Sequence, residues 1–228
     1  MDEVLEKLRR FDSATVANAI EHFEVRDPTT GYADNRLVCR TPGIAVPMVG
    51  RAVTCKVDTT TPGDIRPARV GELVQLLSEA DGPFVLVARH EGPDQRRGCV
   101  FGDMFCAVLA KLGGGGIVTD ANGRDLAGIR RRTPGFHVFC GGWVVSHGYP
   151  AYLEFNTPVE ICGLEVAPGD LLHGDGSGLV SVPLEIAADV AARAEEVRGQ
   201  EEEFFRFLQG DGFSIEELKH RFDPRTED

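Results

Sequence analysis

Gly102-Asp103 and, further along the chain, Asp120-Ala121-Asn122-Gly123-Arg124-Asp125 hold the residue types best suited to chemistry. An arginine presents a planar fork that grips a carboxylate through two parallel hydrogen bonds. Aspartates are hard oxygen ligands, and one or two of them completed by water is the usual way to hold Mg2+ or Mn2+. A helix that starts at Asp103 would add free backbone N–H groups, which favour an anion. Gathered together, Asp103, Arg124 and Asp125 describe a pocket for a metal-bound carboxylate whose negative charge grows during reaction. A plainer role is open to the same residues: an Arg–Asp pair that pins a loop, with Asp103 capping a helix.

Two elements would gather them. Residues 103–112 read as a helix, which advances ~15 Å. Gly116-Ile117-Val118-Thr119 reads as a buried strand returning ~16 Å with its flanks, so the helix start and the strand end share one edge. Between them Gly113-Gly114-Gly115-Gly116 reads as a flexible connection. A dinucleotide loop starting at Gly113 would need glycine where Val118 stands, and would join a strand to a helix. No Walker, HExxH or GxSxG motif occurs.

Around this unit the pattern predicts two N-terminal helices, the second capped by Asp12 or Ser13 with Val16, Ala19, Ile20 and Phe23 on one face. Residues 26–47 are loop-rich. A strand over 51–57, a turn at 62–64, a helix over 67–80 and an apolar strand over 84–88 follow. From 136 to 182 the chain reads as β-structure, with strands at 136–139, 159–162, 170–173 and 179–182. A final helix over 183–209, with Pro183 in its first turn, Gly210 at its stop and Gly199 as a potential kink, would be ~40 Å long. Such a helix should reach a neighbouring subunit. The simplest organisation is one domain over 1–228, with a core at about 12–183 and a helical arm at about 184–228.

Composition narrows the function classes. The 228 residues carry 24 basic and 36 acidic side chains, a net charge of −12, with 42% hydrophobic content. That is enough apolar material for a core, which excludes wholesale disorder. The acidic balance argues against nucleic-acid binding. No apolar run approaches the ~20 residues of a membrane span, and the acidic start lacks a secretory signal, so a cytoplasmic protein is expected. The six cysteines (Cys39, Cys55, Cys99, Cys106, Cys140, Cys162) show no zinc-finger spacing and read as reduced, mostly buried thiols.

The segment Gly102-Asp103 … Gly116-Ile117-Val118-Thr119-Asp120-Ala121-Asn122-Gly123-Arg124-Asp125 resembles the RraA-like family. That family includes 4-hydroxy-4-methyl-2-oxoglutarate/4-carboxy-4-hydroxy-2-oxoadipate aldolases and the RNase E inhibitor RraA. Gly50-Arg51-Ala52-Val53-Thr54 and Pro168-Gly169-Asp170 through Pro183 fit the same pattern, so the likeness spans roughly residues 12–205 in order. Ala121 and Asn18 depart from it, where glycine and aspartate are usual. Ser146-His147-Gly148-Tyr149 belongs to a subset of the family and could shape the pocket.

The resemblance implies an α/β fold, a swivelling β/β/α domain, assembled as a homotrimer or dimer of trimers. It implies Asp125 as the direct ligand of Mg2+ or Mn2+ and Arg124 as the grip on the carboxylate of a small 2-oxo acid. Asp103 takes the place of the family's acidic residue. Glu201 or Glu202, with Glu203 an option, would reach the metal's waters from a neighbouring subunit. The activity implied is aldol cleavage to pyruvate, or oxaloacetate decarboxylation, through a metal-stabilised enolate, with N–H groups of Met104, Phe105 and Cys106 helping to hold the charge. The alternative is a non-catalytic regulator of an RNA-degrading enzyme. His147 and His173 are candidates to face the site; His22, His137 and His220 read as ordinary, and His90 as a weaker candidate. Only four lysines occur, Lys7, Lys56, Lys111 and Lys219, none in a motif suited to Schiff-base chemistry.

Overall fold

The computed structural model describes residues 2–63 and 68–222. Two helices open it, α1 (Asp2–Leu8) and α2 (Ser13–Glu21). Asp12 caps α2 by accepting the Thr15 N–H at 2.9 Å, and Val16, Ala19 and Ile20 turn inward. Next come β1 (Val38–Cys39), β2 (Met48–Asp58), α3 (Val70–Ser78) and β3 (Phe84–His90). β4 (Cys99–Phe101) leads into α4 (Asp103–Lys111), followed by β5 (Gly114–Thr119), β6 (Asn122–Gly123) and α5 (Leu126–Arg132). The later strands are β7 (His137–Cys140), β8 (Gly142–Trp143), β9 (Ala151–Phe155), β10 (Val159–Ile161), β11 (Leu164–Val166), β12 (Leu171–Asp175) and β13 (Gly178–Val182). The helices α6 (Ala187–Gln209) and α7 (Ile215–Phe222) come last.

The main sheet runs β1-β7-β5-β3-β2-β12-β13, with β9 also paired to β2. β2, β3, β5 and β7 are mutually parallel, and parallel strands covered on both faces read as continuous apolar runs. Phe84-Val85-Leu86-Val87-Ala88 is such a run, wholly buried. One face packs Leu86 and Ile117 against Leu73 and Leu77 of α3 and Leu109 of α4. The other packs Val85, Val87 and Phe139 against the β10–β11 hairpin through Ile161 and Leu164. A third cluster joins α1, α2 and the first half of α6 to β12 and β13. The α/β class expected from the sequence is the one adopted, and no described helix is long and apolar enough to cross a membrane.

Four local expectations need correction. The glycine run is not a loose connection: only Gly113 turns, at φ +95°, and β5 begins at Gly114. A Cβ at Gly116 would lie 2.3 Å from the Met48 sulfur and 2.7 Å from the His137 carbonyl, so this glycine lets β5 sit tightly in the sheet. The helix expected at 67–80 starts at Val70, because Arg69 is left-handed at φ +53°; residues 64–67, including part of the expected 62–64 turn, lie outside the described residues. The helix expected at 183–209 begins after a 3-10 turn over Leu184–Ile186 and, as α6, passes uninterrupted through Gly199 to Gln209, 23 residues or ~35 Å; α7 follows it. Finally, the sequence reading missed the parallel sheet β4-β6-β8, whose strands of two or three residues are too short to show a period.

Candidate active site

That small sheet positions the candidate residues. Cys99 pairs with Asn122 and Phe101 with Gly123, and the Arg124 N–H donates to the Phe101 carbonyl at 3.0 Å. A Cβ at Gly123 would lie 2.2 Å from the Phe101 ring, so only glycine allows this approach. The Asn122 amide donates to the carbonyls of Gln95, Arg96 and Gly98 at 2.9–3.2 Å. Asp120 accepts the His90 N–H and Arg89 Nη1, both at 2.9 Å. Burial nevertheless pushes the Asp120 carboxyl above the ordinary aspartate value, against the pull of those contacts. The segment from 120 to 123 is thereby locked, and Arg124 and Asp125 are held out from a rigid base.

They line a cleft of about 210 Å3 together with Phe101, Gly102, Asp103, Met104 and Phe105. Asp125 stands at the N-cap position of α5, yet its side chain caps nothing. Its backbone is left-handed, φ +64°, a conformation that costs a non-glycine residue ~1 kcal/mol or more. The carboxylate instead lies 3.3 Å from Arg124 Nε, and both groups rest against Gly102, where a Cβ would be 3.0 Å from Asp125 Oδ2. Gly102 supplies no side-chain cap to α4. The first intrahelical bond there runs from the Cys106 N–H to the Gly102 carbonyl at 3.0 Å, so the N–H groups of Asp103, Met104 and Phe105 precede it.

Asp103, Met104, Phe105, Arg124 and Asp125 thus meet in one cleft. Cys106 does not join them. It is buried, its N–H belongs to the helix, and burial pushes its thiol up to about 12. The Asp103 carboxylate turns toward α5, where it accepts from Arg132 and packs against Gly128. Glu201, Glu202 and Glu203 lie exposed on the far half of α6, outside the cleft of their own chain. His147 lines the cleft, with Nδ1 donating to the Gly148 carbonyl at 2.9 Å. His173 does not; it is sealed in β12 beneath α1 and α2. Among the described residues no lysine lines the cleft, and Lys56 is paired with Glu154 at 2.9 Å. Tyr152 of β9 is a lining residue that sequence reasoning missed; it lies in the stretch that reads as β-structure but in none of the strands expected there, and nothing in the local pattern marks it.

Among the described residues no three His, Cys, Asp or Glu side chains gather into a metal-binding group. The donors at the cleft suit a hard, largely hydrated cation instead. The Asp125 carboxylate is half-exposed beside the bare Cα of Gly102, and one or two carboxylates with water satisfy Mg2+ or Mn2+. The residues present fit such an ion.

A family model for Aldolase/RraA, the RraA-like family, matches residues 13–181, a span that contains every residue of the cleft. The chain belongs to the RraA-like family. An uncharacterised protein of Methanocaldococcus jannaschii is 31% identical over 143 residues, 61% of this chain and 67% of its own. A Halalkalibacterium halodurans protein, provisionally named a 4-hydroxy-4-methyl-2-oxoglutarate aldolase, is 25% identical over 57% of this chain and 60% of its own. In structure, Streptomyces coelicolor RraAS2, described as an unusual member of the RNase ES inhibitor RraA protein family, superposes with a TM-score of 0.68 at 28% identity. That superposition covers 90% of this chain and 96% of RraAS2. The RraA-like family thus holds relatives named for carbon–carbon chemistry and relatives named for inhibition.

Proposed function

We propose that this RraA-like protein is a cytoplasmic, divalent-metal-dependent carbon–carbon lyase. Its substrate would be a 4-hydroxy-2-oxo acid cleaved to pyruvate and a second oxo acid, with oxaloacetate decarboxylation as a related activity. The observation that carries the reading is the pairing of Arg124 and Asp125 against Gly102, at the uncapped start of α4. Arg124 offers its fork to the substrate carboxylate. The N–H groups of Met104 and Phe105 offer donors to an oxygen on which negative charge develops. Asp125 would hold Mg2+ or Mn2+ directly, with Asp103 behind it, and the ion when bound supplies Lewis-acid stabilisation of enolate charge. Through Arg132, Asp103 also ties the start of α4 to the end of α5.

A homotrimer or dimer of trimers would bring Glu201 or Glu202 of a neighbouring copy to the ion's waters. Supporting this, the far half of α6, the turn after it and α7 expose Phe205, Leu208, Phe213, Ile215 and Phe222, more apolar surface than a lone arm keeps in water. Absence of a lysine from the cleft favours metal over Schiff-base chemistry, so borohydride with pyruvate should trap no adduct.

Turnover of oxaloacetate and branched 4-hydroxy-2-oxo acids tests the reading. Cleavage should need Mg2+ or Mn2+, stop on chelation and return on re-addition. No turnover of any substrate with either ion would overturn it. The second reading, regulation of an RNA-degrading enzyme, draws on the likeness to RraAS2. It predicts inhibition of an RNase E-type enzyme by wild type and Asp125→Ala alike.

A further inference from the structure

Tyr152 is a phenol in an apolar setting whose hydroxyl the fold leaves unused. On β9, opposite Val57 of β2, its ring packs against Phe105 of α4 at 6.1 Å and Phe155 at 6.5 Å. The residue is only 4% exposed. Its hydroxyl makes no hydrogen bond to any described residue, and it is not among the three buried polar side-chain atoms sealed from solvent without a partner, His90 Nδ1, His137 Nδ1 and Thr157 Oγ1. The hydroxyl therefore keeps an opening, and the cavity that Tyr152 lines is the cleft of Arg124 and Asp125.

A hydroxyl that bonds nothing in the fold adds nothing that phenylalanine would not supply at the same ring contacts. Burial, reinforced by the thiols of Cys55, Cys106 and Cys99, holds the phenol well above the ordinary tyrosine value. It stays protonated and able to donate. We infer that Tyr152 is a further substrate-binding residue, donating its O–H to an oxygen of the bound 2-oxo acid from the side of the cleft formed by β9. This inference rests on the lyase reading and deepens it. Arg124 and the α4 N–H groups supply fixed positive charge, and Tyr152 adds a directional donor on a rigid strand, a combination suited to a small, oxygen-rich anion.

Tyr152→Phe removes one oxygen and keeps the ring contacts. Oxalate, a planar mimic of the pyruvate enolate, is titrated calorimetrically into wild type and variant with Mg2+ present, alongside thermal melting of both and turnover of oxaloacetate. The inference expects oxalate to bind the variant about tenfold more weakly, ~1.4 kcal/mol, with an unchanged or higher Tm. Affinity and turnover within twofold of wild type would overturn the inference and leave the lyase reading intact. Weaker binding accompanied by a clearly lower Tm would also overturn it, since that marks a packing role. A wild type that neither binds oxalate nor turns over substrate would overturn the lyase reading and the inference with it.

Discussion

Ser13, His173 and Asp175 form one polar cluster of this protein, and Arg124 and Asp125 form another. In the first, the Ser13 N–H donates to Asp175 Oδ2 at 2.7 Å and the Ser177 N–H to Oδ1 at 2.7 Å. His173 Nε2 donates to the Leu8 carbonyl at 3.2 Å, so in the neutral ring Nδ1 accepts from the Ser13 hydroxyl at 3.0 Å. In the second, Arg124 Nε and Asp125 Oδ2 lie 3.3 Å apart against Gly102, with side chains 35% and 44% exposed and no other side-chain hydrogen bond among the described residues, beside a helix start without a cap. Buried polar groups are almost always satisfied. Where satisfaction is complete, as around His173, the groups tie α1 and α2 to β12. At Arg124 and Asp125, which are part-exposed, the polar groups are instead left open to solvent at the cleft.

The contrast breaks most sharply at Asp125. Asp125→Ala should lower metal-stimulated kcat/KM by at least about a hundredfold while leaving Tm within a few degrees, since the carboxylate caps nothing. Wild-type rates after chelation and Mg2+ re-addition would remove Asp125 from the site. Arg124→Lys keeps the charge and loses the fork, so kcat/KM should fall at least about tenfold, ~1.4 kcal/mol; unchanged steady-state kinetics would contradict the role.

Ser13→Ala should behave in the opposite way. It strands His173 Nδ1 in the interior and should cost about 1 kcal/mol in urea denaturation, with kcat/KM within twofold. Lost activity without lost stability would erase the distinction between the clusters. The smallest effect is the pH dependence of folding. Burial lowers the folded-state values of His173, His137 and His90, so the unfolded chain binds protons first as pH falls. Their contribution to stability is complete above the ordinary histidine value of ~6.5 and is lost progressively below it. Tm should decline as pH drops from about 7.5 toward 5, and a flat profile would show the rings protonated or exposed.

The arm offers a second contrast, within α6 itself. Val190, Ala191, Ala194 and Val197 in its first half are buried against α1 and α2, whereas Phe205 and Leu208 beyond Gly199 are exposed. Light scattering should give a trimer or hexamer rather than 24.7 kDa. A fully active monomer would leave Glu201 and Glu202 without a role.

Much of this was legible in the chain. Asp12 followed by Val16, Ala19 and Ile20 announces α2, and the unbroken apolar run from Phe84 to Ala88 announces a parallel strand, because local capping and burial on both faces leave direct marks on residue type. The family motif around Arg124 and Asp125 was equally plain. Local pattern could not tell His147, in the cleft, from His173, in the interior, since both follow glycine- or strand-rich segments. Nor could it separate Met104 and Phe105, whose N–H groups precede the first helical bond, from Cys106, whose N–H makes it.

The sequence by itself thus determined the α/β class, the helix–strand unit that carries the candidate site, the family, and residue types whose chemistry suits a carboxylate and a hard cation. Only the tertiary structure decided which polar groups are left unsatisfied. It did so through the β4-β6-β8 sheet, which fastens Gly123 against Phe101, and through β9, which brings Tyr152 to the cleft from the far side. The physical reason is that a periodic pattern reports burial along one element. Whether a hydrogen-bonding group finds a partner depends on elements distant in the chain, and strands of two or three residues carry no period by which those contacts could be foreseen.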